Sequence, residues 1–199
     1  MVLMPDALLV AILVIFLFFA LCGALVLVVV SMARPRTLPL VLAGLLVVLA
    51  LILVALAPVN ISPLMGVILA VLGVAVAVAG GNPVARRILD IASGGRVQET
   101  SDGGIVLPAA GTDGDAEPGA QTRTLMRGGT VIGYLERIAV VLGIIAGYPE
   151  AIAVVVAVKG IGRFSELATP EARERFIVGT LASLVWACVV GALVRLAVT

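Results

Sequence analysis

Glu136 and Arg137 stand side by side inside one apolar stretch, and Lys159 stands inside the next. A carboxylate and an amine at that depth could clamp helices, relay a proton or hold a solute ion. Charge in hydrocarbon is costly and is rarely left alone, so each of these groups needs a partner. The chain offers one by geometry. A turn falls at Gly147-Tyr148-Pro149, and residues equidistant from a turn face each other across an antiparallel helix pair. Glu136 precedes Gly147 by eleven residues and Lys159 follows Tyr148 by eleven. The spacing therefore predicts a Glu136–Lys159 pair, with Arg163 one turn beyond Lys159 on the same face. Arg137, Glu166, Glu174 and Arg175 complete the expected intramembrane charge network. From Glu136 to Arg175, leaving out the turn residue Glu150, five basic side chains meet four acidic ones. Such balance is expected of a structural ion-pair network. An anion-binding or transport site would leave positive charge over.

Other chemistries are excluded more simply. The 199 residues contain no histidine, which removes Ser-His triads, imidazole proton relays and histidine metal sites. Cys22 and Cys188 lie in separate apolar runs and read as buried free thiols. The acidic stretch Thr112 to Glu117 lacks the spacing and closing glutamate of a calcium loop. Asp113 and Asp115 sit in that loop and not at a helix end, where a head-group transferase would hold its aspartates. No Walker, dinucleotide or zinc motif occurs, so no cofactor and no enzymatic activity is expected. A net charge of +1 argues against nucleic acid as a partner.

The elements that must position these charges are membrane helices. The chain is 62% hydrophobic and 13% charged, and its apolar residues come in runs too long for a soluble core. The mean hydropathy is +1.25. An all-α, polytopic bundle of six spans is expected. The first runs from Ala7 to Met32, the second from Leu38 to Ala57 and the third from Pro63 to Gly80. Gly80-Gly81-Asn82-Pro83 is expected to break the chain, with Asn82 capping a short segment that Pro83 begins and that continues from Val84 to Ala92, either as a helix in the inner interface or as an amphipathic turn packed on the protein itself. Gly94 to Gly129 reads as a flexible polar loop. Helices then follow over Thr130–Gly147, Glu150–Phe164 and from Thr169-Pro170-Glu171 to the C-terminus. The chain thus divides into a three-span half at 1–81, a cytoplasmic segment at 82–129 and a second three-span half at 130–199. Inverted triplets of this kind are a transporter architecture, although the two halves share no residue pattern.

Five spans would result if Thr130 to Val158 formed one kinked helix. Charge distribution favours six. With six, Arg34, Arg36, Arg86, Arg87, Arg96, Arg123, Arg127, Lys159, Arg163, Arg173 and Arg175 share the cytoplasmic side, and only Arg195 lies opposite. Both termini then fall outside.

Three pieces of the last third carry a resemblance. They are Gly128-Gly129 through Ile132-Gly133 to Leu135-Glu136-Arg137, then Ala157-Val158-Lys159-Gly160 through Gly162-Arg163 to Glu166-Leu167, and Glu174-Arg175-Phe176-Ile177 through Gly179-Thr180 to Ser183. In this order they resemble a family of uncharacterised bacterial, notably actinobacterial, integral membrane proteins. The resemblance covers about the last 75 residues and implies an inner-membrane location, without implying an activity. The expected function is a non-enzymatic structural or assembly subunit, with membrane lipid and a protein partner or a second copy as its contacts. The alternative is a small-solute or ion transporter working through Glu136 and Lys159.

Overall fold

The computed structural model describes residues 4–33, 37–56, 61–92, 129–162 and 170–199. Among them are six α-helices and no strand: α1 (Met4–Ala33), α2 (Thr37–Leu56), α3 (Pro63–Ala92), α4 (Gly129–Ala146), α5 (Ala151–Gly162) and α6 (Pro170–Val198). The expected loop from 94 to 128 and the residues Arg163 and Glu166 lie outside the described residues.

Five of the six are long and apolar enough to cross a bilayer. They are apolar on nearly every side, so both their outer and inner surfaces are hydrocarbon. Ile12, Phe19, Leu45, Val71, Leu135 and Leu181 face outward, while Leu17, Val47, Leu69, Val140 and Leu193 fill the interior. The largest fully buried side chain is the cation Arg137. A bundle coated with large apolar groups and holding charge within is built for lipid, and the protein is embedded in a membrane.

Close contacts fix the helix directions. Along α3 and α6, Gly66 lies against Val198, Gly73 against Val194, Gly80 against Trp186, and Gly179 against Leu89. These two helices are therefore antiparallel over their whole length. Gly23 of α1 meets Leu46 of α2 about the short connection between them, so that pair is antiparallel as well. At the other end of the bundle, Arg195 near the close of α6 bonds the last carbonyls of α4, which makes α4 and α6 parallel. The chain must return between α4 and α6, and α5 carries it back. With 12 residues α5 rises only about 18 Å, short of the roughly 30 Å of hydrocarbon. The six-helix division stands, but only five helices have full span length.

The third helix departs from expectation. Gly80-Gly81-Asn82-Pro83 does not break it: α3 continues through Pro83 to Ala92, and the separate interfacial helix at 84–92 is its last part. The domain boundary expected at 81/82 thus falls inside a helix. Away from water a backbone must keep its hydrogen bonds internal, and a proline is tolerated where neighbouring groups satisfy what it frees. The two glycines serve packing. A Cβ on Gly80 would lie 2.4 Å from Trp186 Nε1, and one on Gly81 would lie 2.3 Å from Arg137 Cδ. Ser62 starts this helix, with its hydroxyl accepting from Met65 N at 3.4 Å and Pro63 in the first helical position.

The α4–α5 turn is a Schellman closure. Tyr148 N donates to Gly143 O at 2.8 Å, Gly147 N donates to Ile144 O at 3.1 Å, and Gly147 has φ of 86°. Gly143 allows the two backbones to approach, since a Cβ there would lie 2.7 Å from Ala151 Cβ. Gly160 plays no such part, having nothing within 4 Å of its Cβ position, and neither does Gly162. The two positions should accordingly respond in opposite ways. Gly143→Ala should destabilise by about 1–3 kcal/mol through overpacking. Gly160→Ala should be neutral or gain up to about 1 kcal/mol from helix propensity. Unfolding in detergent micelles, followed by far-ultraviolet circular dichroism, measures both.

Candidate functional site

The charged residues of α4 point in two directions and form two separate sites. Glu136 faces α5, and Arg137, one residue on and rotated by about 100°, faces α3 and α6. The position of Glu136 follows from the tight turn at Gly147, which sets the register of the hairpin. Lys159 Nζ lies 2.5 Å from Glu136 Oε2. Both side chains are largely covered, with exposures of 16% for Lys159 and 10% for Glu136. The ring of Phe176 on α6 lies 5.8 Å from the ammonium, adding a cation–π contact from a third helix. Glu136 Oε1, the other carboxylate oxygen, is buried and accepts no hydrogen bond.

Arg137 is 1% exposed and lies midway along α4. Its guanidinium donates three hydrogen bonds to two neighbouring helices. Nε donates to Val78 O at 3.1 Å, Nη1 to Ser183 Oγ at 2.8 Å and Nη2 to Asn82 Oδ1 at 3.1 Å. It also lies 5.2 Å from the Tyr134 ring centroid. Every hydrogen-bond acceptor is neutral, and among the described residues Arg137 makes no ion pair. The sequence expectation placed it in a single self-neutralising network with Glu136; the structure instead separates it. Asn82, expected to cap a helix, is one of its acceptors. The planar fork of arginine suits this role, because one side chain can tie α4 to α3 and to α6 at once.

Two other expected network members, Glu174 and Arg175, stand near the start of α6. Glu174 is exposed on the first turns of α6 and Arg175 is half-buried beside it. Neither joins the Glu136–Lys159 pair, and Arg163 and Glu166 fall outside the described residues. Among the described residues no group of acidic or cysteine side chains is placed to hold a metal. Cys22 and Cys188 are free and half-buried.

Sequence reasoning missed three polar ties. Ser183 gives no signal of its own in an apolar run, and Asn82 before Pro83 signals a helix cap where it serves as an acceptor for Arg137. Trp186 donates through Nε1 to Val76 O at 3.2 Å, fixing the α3–α6 contact. In the charge pattern Arg195 stands out only as the lone basic residue of the opposite face. It donates to Ile144 O at 3.0 Å, which also accepts from Gly147 N, and to Ile145 O at 3.2 Å, one of the last carbonyls of α4.

No protein-family profile, curated protein or solved structure matches this chain.

Two expectations follow from the geometry. Ser183→Ala should cost about 0.6 kcal/mol, the usual size of one interhelical hydrogen bond in a membrane. Arg137→Lys should cost more, because an ammonium cannot reproduce the fork. Lys159→Met alone should destabilise more than Glu136→Gln with Lys159→Met, since the single change leaves a carboxylate buried without its cation. Unfolding by SDS titration of the reconstituted protein ranks all four variants.

Proposed function

We propose that this protein is a non-enzymatic accessory or assembly subunit of a bacterial cytoplasmic membrane, docking a partner through the α4–α5 hairpin. The observation that carries this reading is the condition of α5. It is apolar, yet none of its residues is buried. Val154, Val158 and Ile161 are 61%, 66% and 79% exposed. A short arm held by an ion pair and one close helix contact, with its outer face bare, suits an element completed by another helix. The charges support the same reading. Arg137 and the Glu136–Lys159 pair are enclosed by packing and bind the subunit's own helices together. A cavity lined by apolar side chains of α2, α3 and α6 lies elsewhere.

The orientation belongs to this proposal too. Arg86, Arg87, Lys159, Arg173 and Arg175 gather at one face of the bundle and Arg195 at the other, which by the positive-inside rule puts both termini outside. The resemblance of the last third to bacterial integral membrane proteins supports the same membrane.

A second reading has one observation in its favour. Glu136 Oε1 lacks a donor, and a transported proton or cation would supply what it lacks. Flux in proteoliposomes tests that reading, and unchanged flux after Glu136→Gln with Lys159→Met would end it. For the accessory reading, extraction in mild detergent should recover the chain with one defined partner at fixed stoichiometry. Val154→Trp and Val158→Trp, which thicken the bare face of α5 without adding charge, should release that partner while leaving the unfolding transition in place. A chain that migrates alone and monodisperse from native membranes would overturn the reading.

A further inference from the structure

The charges of the second half do not sum to zero. Glu136 and Lys159 cancel each other, while the described partners of Arg137 are neutral oxygens. Hydrogen bonds satisfy the donors of Arg137 without cancelling its charge. The first turns of α6 add two residues of each sign, Glu171, Arg173, Glu174 and Arg175, and the connection at 163–169 adds one of each, Arg163 and Glu166. The last turns of α3 bring Arg86 and Arg87 against Asp90, so they do not cancel the excess either. One cation is left over around the Glu136 level, and a surplus charge in hydrocarbon draws a counter-charge to it.

Lys159 is the place where a counter-charge has access. Arg137 is 1% exposed and sealed by α3 and α6. Lys159 is 16% exposed and stands on α5, the helix with no buried residue. An ammonium carries three donors. Glu136 Oε2 takes one, and the Phe176 ring covers one side of the group. Beside Lys159, Gly160 and Gly162 have nothing within 4 Å of their Cβ positions, so a neighbouring helix can approach the backbone closely there. The bare side chains Val154, Val158 and Ile161 continue the same surface along α5. The ammonium is held level with Glu136, about 10 Å along α4 from Gly129. A side chain on a spanning helix reaches that depth more readily than a lipid phosphate does. A second copy of this chain would bring Glu136 to that depth already paired with its own Lys159.

We propose that the α4–α5 hairpin docks a transmembrane helix of another protein carrying one carboxylate, aspartate or glutamate, level with Lys159. Lys159 then lies between two carboxylates, and with Arg137 the four charges cancel. The inference rests on the accessory reading and names the chemistry of its partner.

The probe is a synthetic transmembrane helix of leucine and alanine with a single glutamate level with Lys159 and a dansyl label at one end. Its control carries glutamine in place of the glutamate. The full chain is reconstituted in phosphatidylcholine bilayers, and energy transfer from Trp186, its one tryptophan, reports association. The glutamate helix should associate at about tenfold lower mole fraction than the glutamine helix, the preference that one charge-assisted hydrogen bond supplies. Glu136→Gln should widen that preference, because Lys159 loses its competing carboxylate, whereas a change that only loosened the fold would not. Gly160→Leu, which fills the open space beside Lys159, should bring the two helices to equal association, and so should Glu136→Gln with Lys159→Met. Equal association with the unmodified chain overturns the carboxylate. It leaves the accessory reading standing, since co-extraction of the native partner decides that separately. A preference that survives both Gly160→Leu and the double variant overturns the location at Lys159. A preference abolished by adding phosphatidylglycerol assigns the counter-charge to a lipid phosphate and overturns the partner helix.

Discussion

A cation midway along a membrane helix, held by neutral oxygens, governs how this bundle is put together. Arg137 cannot face lipid without a large desolvation penalty. It can be buried only where other helices bring acceptors to it. Val78 O, Asn82 Oδ1 and Ser183 Oγ do so, and each comes from a helix other than α4. Satisfying the guanidinium therefore fixes α3, α4 and α6 in rotation and depth together. Apolar packing alone discriminates poorly among such arrangements, because lipid tails cover apolar helix surface as well as another helix does. The polar tie supplies the register that hydrocarbon contact does not.

The local features around this tie follow from it. Gly81 and Gly133 leave space for the guanidinium and its stem, and Gly80 leaves space for the Trp186 indole. What looks in the sequence like a glycine-rich interruption is a place where large side chains lie directly against the α3 backbone. Pro83 adds a missing N–H in the same region. Polar side chains from α4 and α6 crowd this stretch of α3, where Arg137 bonds Val78 O and Trp186 bonds Val76 O. On the far side of α4, the Glu136–Lys159 pair does for α5 what Arg137 does for α3 and α6, at smaller scale and with two charges in place of one.

Much of this was legible in the residues. Run lengths gave the helices, and equal spacing about Gly147 gave Glu136 and Lys159 as partners, since a short hairpin permits little freedom of register. The helix across 80–83 was not legible, because Gly-Gly-Asn-Pro signals a turn in water and only the surrounding helices reverse that meaning. The acceptors of Arg137 were hidden for a related reason. They lie 46 to 59 residues away in the chain, on helices with no hairpin relation to α4, and neutral oxygens leave no charge pattern to follow.

The bond from Arg195 to the end of α4 spans 51 residues. During synthesis α4 and its turn enter the membrane well before that arginine exists. Until then Ile144 O has its bond from Gly147 N within the turn, and Ile145 O turns to water or lipid head groups at the bilayer edge. The hairpin therefore closes its turn on its own, and the end of α4 gains its remaining hydrogen bonds only when the last helix arrives alongside it. Maturation of the second half runs backwards along the chain, with the final segment closing the earlier one.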